Sequence, residues 1–132
     1  MLCVAKISLY SYITIYFLPA FADRLETIER VKPTIMLAVT AFKGAITEEM
    51  VKKMSEYCDR PIIFPLSNPT SKAECTAEEA YRWSNGKAVV ATGSPFDPVM
   101  FNGVLNKPSQ VWSLPVTGAI LSLTYSYEFL AF

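Results

Sequence analysis

Residues 35–92 read IMLAVTAFKGAITEEMVKKMSEYCDRPIIFPLSNPTSKAECTAEEAYRWSNGKAVVAT, and three apolar runs within them decide the fold. Ile35-Met36-Leu37-Ala38-Val39 contains no polar residue, the pattern of a strand covered on both faces. Ile62-Ile63-Phe64 is the second run, closed by Pro65, which lacks an amide donor, and by Leu66. Lys87-Ala88-Val89-Val90-Ala91-Thr92 is the third. Between them lie two helical patterns. Thr47 has the chemistry of an N-cap, and Glu48 and Glu49 follow at the positive end of the helix dipole. Met50, Val51, Met54 and Tyr57 then fall on one face, with Lys52, Lys53 and Glu56 away from it. Thr76 and Glu79 have capping-box spacing, Ala80 and Trp83 face inward, and Asn85-Gly86 is a stop signal. Strand, helix, strand, helix, strand at this spacing predicts parallel βαβ units and an α/β fold class.

Upstream, Asp23 with Glu26 also has capping-box spacing, and Leu25, Ile28 and Val31 form a short apolar stripe that Pro33 ends. Outside this ordered middle the chain changes character. No charge occurs from Ile7 to Ala22, and the run ends in Ala20-Phe21-Ala22, the small-x-small form of a signal-peptidase site. Three readings compete there: a secretion signal, a buried strand, or sequence foreign to the fold. Pro19 closes the run short of membrane-spanning length, so a membrane helix is disfavoured. Pro108 to Tyr127 is also uncharged and has neither helical nor strand period, which reads as irregular or short strand. The expected organisation is an apolar extension over 1–22, an α/β unit over 23–104 and an apolar tail over 105–132.

Composition removes several function classes. Lysine plus arginine equals aspartate plus glutamate at 12 each, so there is no basic face for nucleic acid. The chain has no histidine, which excludes a Ser-His-Asp or Cys-His nucleophile and an HExxH zinc site within it. Three cysteines, Cys3, Cys58 and Cys75, are scattered without a CxxC pair and read as free thiols. The carboxylates form no metal-binding pattern. Glu48-Glu49 and Glu78-Glu79 fit helix first turns, and Lys72 and Glu74 read as solvated charges.

Ligands of an open parallel sheet bind beyond the carboxyl ends of its strands. Thr40–Gly44, Ser67–Ser71 and Gly93–Pro98 occupy those positions. In the second, Asn68 offers a donor and an acceptor that can hold a carboxylate or carboxamide without proton exchange. The competing reading is an Asx turn before Pro69, which needs no ligand. There is neither a GxGxxG fingerprint nor a phosphate-binding P-loop.

The string RPIIFPLSNPTSKAECTAEEAYRWSNGKAVVATGSPFDPV closely resembles the cofactor-binding domain of malic enzymes. ETIERVKPTIMLAV and AITEEMVKKM resemble the preceding elements of that domain more loosely, so the likeness covers residues 23 to 104. It implies a partial Rossmann-like sheet with unrelated apolar ends. It also implies a function: NAD- or NADP-dependent oxidative decarboxylation of malate to pyruvate and carbon dioxide. By this resemblance Asn68 contacts the malate carboxylate beside the nicotinamide, and Leu66 and Ser67 line the nicotinamide side of the pocket. Ser94 belongs to a turn near the site.

The departures from the family pattern are equally specific. Phe42 and Lys43 stand where small residues are expected near the cofactor. No paired asparagines follow Asn102-Gly103. The family's catalytic tyrosine and lysine, the acidic ligands of its Mg or Mn ion, and the GxGxxG half of the fold are absent. The implied protein is a partial malic-enzyme polypeptide, inactive alone. In the intact enzyme its partners are malate, NAD(P) and other malic-enzyme subunits, in the cytoplasm or an organelle. A non-catalytic nucleotide-binding or protein-interaction module is the alternative.

Overall fold

The computed structural model describes residues 2–7, 13–18 and 24–111. Its elements are β1 (Leu2–Ile7), β2 (Ile13–Leu18), α1 (Arg24–Val31), β3 (Ile35–Ala38), α2 (Glu48–Tyr57), β4 (Ile62–Pro65) and α3 (Ala77–Trp83). These are followed by β5 (Val89–Thr92), β6 (Val99–Phe101), β7 (Val104–Asn106) and β8 (Ser109–Gln110). A six-stranded sheet runs in the order β2-β1-β3-β4-β5-β8. Strands β3, β4, β5 and β8 are parallel, so the expected βαβαβ unit is present and gains one more strand.

The apolar start of the chain joins this sheet. β1 pairs antiparallel with both β2 and β3, with Leu2 opposite Ala38 and Val4 opposite Met36. Leu2 and Val4, which precede the uncharged run, are buried on the core, and within the run itself Ile13–Leu18 is strand β2. Ala20-Phe21-Ala22 and Asp23 lie outside the described residues, as does the chain beyond Val111.

The helices form as their caps dictate. The Thr47 side chain accepts from Met50 N, and Thr76 and Glu79 form both bonds of a capping box. α3 ends where Asn85 and Gly86 take positive φ and Gly86 N reaches back to Tyr81 O at 2.7 Å, closing the last turn with a residue that tolerates αL. Because β3, β4 and β5 advance in one direction, right-handed crossovers put α2 and α3 on the same face. α1 packs on α2, and α2 on α3. Lys53 bridges Glu29 of α1 and Glu56 at 3.2 Å each. Both carboxylates, the Glu29 one first, hold its ammonium pKa above the ordinary lysine value.

Under the helices lies one core. Met36, Ile63 and Val90 rise from successive strands to meet Ile28, Met50, Val51, Met54, Ala77 and Ala80. Each large side chain fully buried there contributes about 1.5–3 kcal/mol. Tyr81, rather than Trp83, is the more deeply buried aromatic of α3; Trp83 is partly buried against the core. The sequence predicts strands covered on both faces. In the structure β4 alternates half-buried and buried residues, so one face is sealed by helices and the other, carrying Ile62 and Phe64, is partly open.

The β6–β7 hairpin was not evident from hydrophobic period alone. Its turn is Asn102-Gly103, both at positive φ, the arrangement that suits two-residue hairpins. Phe101 lies against Gly86, where an added Cβ would come within 2.9 Å of the ring.

Candidate functional site

Three loops leave the carboxyl ends of β3, β4 and β5 side by side, and a single buried carboxylate joins two of them. Glu74 has no exposed surface. Its Oε1 accepts from Thr40 N at 2.5 Å, Thr40 Oγ1 at 3.0 Å, Ala41 N at 3.3 Å and Ser67 Oγ at 2.5 Å. Its Oε2 accepts from Ser67 N at 3.3 Å. The main-chain carbonyl of the same residue accepts from Gly44 N at 2.9 Å and Ile46 N at 3.4 Å. Glu74 is thus the opposite of the solvated charge that its position after a turn suggested. An ionised carboxylate is acceptor-only, and the loops around it offer only donors, which is how a buried charge is satisfied. Its neighbours Ala73 and Cys75 are buried with it.

Leu66 is half-buried and Ser67 is 7% exposed. The Ser67 hydroxyl donates to Glu74 and accepts from Ala41 N at 2.8 Å, so its side chain is used in joining the loops. Asn68, by contrast, is exposed at the mouth of the loop after β4, and the Asn68–Pro69 peptide is cis. The buried Ser94 hydroxyl donates to Asn68 Oδ1 across from the third loop. Thr92 Oγ1 in turn donates to Ser94 O at 2.7 Å and braces that loop. Ser94 thus holds one end of the Asn68 carboxamide. The structure places Ser94 of the loop after β5 against Asn68, which follows Leu66 and Ser67 in the chain.

Close approach of the β4 and β5 ends depends on Gly93. A Cβ there would fall 2.1 Å from Leu66 O and 2.7 Å from Leu66 C, both backbone atoms. The glycine is needed for space, since its φ lies outside the left-handed region.

The loop after β3 carries bulk without filling the site. Phe42 is 68% exposed and lies in solvent. The left-handed conformations fall at Ala41, with φ 53°, and Gly44, with φ 83°. Thr40 Oγ1 accepts from Phe42 N at 3.1 Å and tightens the turn.

Titratable groups near the loops are few. Burial raises the Cys75 thiol pKa, with Glu79 and Glu74 adding to the effect, so the thiol stays neutral. Burial also raises the Tyr81 phenol. Among the described residues no group of three His, Cys, Asp or Glu side chains could hold a metal ion, so the divalent ion of the resemblance has no fitting ligand set there. No helix among them is long and apolar enough to cross a membrane.

Comparison with known proteins gives this geometry a lineage. A family model described as the malic enzyme NAD binding domain matches residues 19–118. A chloroplastic NADP-dependent malic enzyme of Oryza sativa subsp. japonica is 49% identical over 86 residues, covering 65% of this chain and 14% of the relative. An NAD-dependent malic enzyme of Vibrio campbellii is 51% identical over 79 residues, covering 60% of this chain and 14% of the relative. One from Shewanella woodyi is 49% identical over the same length. The chain thus spans 14% of the length of these curated relatives. With residues 19–118 matched, it belongs to the malic enzyme family, in that family's NAD-binding domain.

Proposed function

We propose that the chain supplies part of the nicotinamide and malate pocket of a malic enzyme and does not turn over malate alone. The reaction of the whole enzyme is oxidative decarboxylation of malate to pyruvate and carbon dioxide, with NAD or NADP taking the hydride. Asn68 carries this reading. It is exposed at the carboxyl end of β4, in the crevice region where open parallel sheets bind ligands, and its carboxamide oxygen is held by Ser94. The fixed orientation leaves Nδ2 to donate to a carboxylate of malate, while Leu66 and the Ser67 backbone line the nicotinamide side.

Apart from the buried Glu74 carboxylate, which the loops hold with five donors, the groups gathered here are neutral hydrogen-bonding side chains: Thr40, Ser67, Asn68 and Ser94. They suit holding and orienting a ligand and lack a proton carrier of near-neutral pKa. A bound nicotinamide dinucleotide supplies hydride acceptance. The residues that would hold it here are the strand ends, which Gly93 allows to lie close to one another, and the phosphate-binding fingerprint is not in this sequence. No step is assigned to a metal.

Replacing the matching stretch of the Vibrio campbellii enzyme with residues 34–106 tests the reading. The chimera is expected to reduce NAD with malate, and N68A in it to raise the malate KM at least tenfold. A chimera whose malate KM is indifferent to N68A would refute the pocket assignment. The purified chain with Mn²⁺, malate and NAD(P) is expected to give no rise in dihydronicotinamide absorbance.

A protein-interaction role is the second reading, favoured by the exposed Met100, Val104 and Leu105 on the β6–β7 hairpin, at 65%, 62% and 52%. Gel filtration of the chain with and without an intact malic enzyme separates it from the first.

A further inference from the structure

Glu74 spans two loops that sequence separation keeps apart: Thr40 lies 34 residues before it and Ser67 seven. Between them these loops present the donors of Thr40, Ala41 and Ser67 to one carboxylate, and Ser67 is the residue before Asn68. The carbonyl of Glu74 extends the same link to Gly44 and Ile46, at the entry to α2. Among the described residues no cation pairs with this carboxylate. Backbone amides, which cannot become acceptors, provide three of its five bonds. That choice of partners fixes main-chain positions rather than side-chain positions.

We propose that Glu74 is a positioning residue that sets the spacing between the loop after β3 and the Asn68 turn. It acts through Ser67 and touches no ligand itself. The inference rests on the pocket reading of Asn68 for its functional meaning, yet the link between the loops is measurable with no ligand present.

The sizes of the side chains make the prediction specific. Gln at 74 keeps the volume but replaces one acceptor with a donor, which faces either Ser67 N–H or the Thr40 and Ala41 amides. Asp keeps the charge and loses one methylene of reach, so it can serve one loop but not both. A role limited to charge or to filling space would leave one of these two variants like the parent.

The test is amide hydrogen exchange by NMR on the full chain, with the Asn68 side-chain amide resonance as a second readout. In E74Q the Thr40, Ala41 and Ser67 amides are expected to exchange roughly 10- to 100-fold faster, the loss matching a hydrogen bond to a charged acceptor. The Asn68 side-chain signal should shift, while core amides of Met36, Ile63 and Val90 keep their protection. E74D should restore slow exchange in one loop only. T40V removes one hydroxyl and guards against an E74Q chain that fails to fold; it should speed exchange at Ser67, in the other loop.

Unchanged exchange at Thr40 and Ser67 in E74Q, or at Ser67 in T40V, would overturn the proposal. So would E74D matching the parent in both loops. Nicotinamide dinucleotide added afterwards reports on the pocket reading separately, because the exchange rates are measured without it.

Discussion

Gly93→Ala adds one methyl group where the structure has no room for it. The new Cβ would lie 2.1 Å from Leu66 O, 2.7 Å from Leu66 C and 3.1 Å from Leu66 Cα. A carbon meets a carbonyl oxygen comfortably at about 3.3 Å, so the two chains must part by roughly 1.2 Å. That is about a quarter of the usual spacing between strands, and the obstructing atoms are backbone. The bond from Gly93 N to Pro65 O, already 3.3 Å, would be lost. Overpacking costs about 1–3 kcal/mol and the lost bond about 1 kcal/mol. Alanine recovers about 0.4–1 kcal/mol by stiffening the unfolded chain. The net loss is about 1–3.5 kcal/mol, which lowers the urea midpoint by about 0.5–2 M at unchanged m value. Gly44→Ala is the control: nothing lies within 4 Å of its Cβ, but φ is 83°. It should cost about 1 kcal/mol through backbone strain alone. A G93A chain within about 0.5 kcal/mol of the parent would show that the β4 and β5 ends are not held together as described.

Other perturbations have different signs and causes. Thr76→Ala removes the acceptor of Glu79 N and should cost about 1 kcal/mol in urea unfolding, with no change at the loops. Ala41→Gly relieves a left-handed alanine and should raise the midpoint slightly, by about 0.5 kcal/mol after the entropy cost of glycine. Cys75 makes stability depend on alkaline pH. Its folded pKa is raised above the ordinary 9.0, so above pH 9 the unfolded chain releases a proton that the folded chain keeps. Stability should therefore fall by about 1.4 kcal/mol per pH unit above that value. Urea midpoints between pH 8 and 9.5 check this, and C75A should remove most of the slope there, the raised Tyr81 phenol adding its own only as the pH nears 10. Cys58, which is only half-buried, should react with a thiol reagent well before Cys75.

The elements that could be read in advance were those whose signals are local. The Thr47 cap and the Thr76–Glu79 box need only neighbouring residues, and both form as the spacing predicts. The apolar runs at 35–39, 62–64 and 88–91 mark three parallel strands, although the face of β4 carrying Ile62 and Phe64 is only partly covered. Asn68 was legible as an exposed polar residue at a strand end. Its partner Ser94 is 26 residues away, and only pairing of β4 with β5 brings the two loops together.

Glu74 shows what local reading misses. In one dimension it is an acid between a lysine-bearing turn and a helix cap, where solvation is the ordinary outcome. Its burial is set by two loops folding over it with five donors, an arrangement that no spacing along the chain encodes. The uncharged run from Ile7 to Ala22 is ambiguous for the same reason: apolar, β-branched residues suit an address segment or a strand, and Ile13–Leu18 is strand β2 because it pairs with β1, which itself covers the free edge of β3. By itself the sequence determined the helix caps, the buried runs and their order, because each depends on contacts within a turn or a strand. Tertiary structure alone decided the edge partner of β3, the Asn68–Ser94 contact and the burial of Glu74. Those depend on long-range packing, in which hydrogen-bond donors from distant segments must be satisfied at one point.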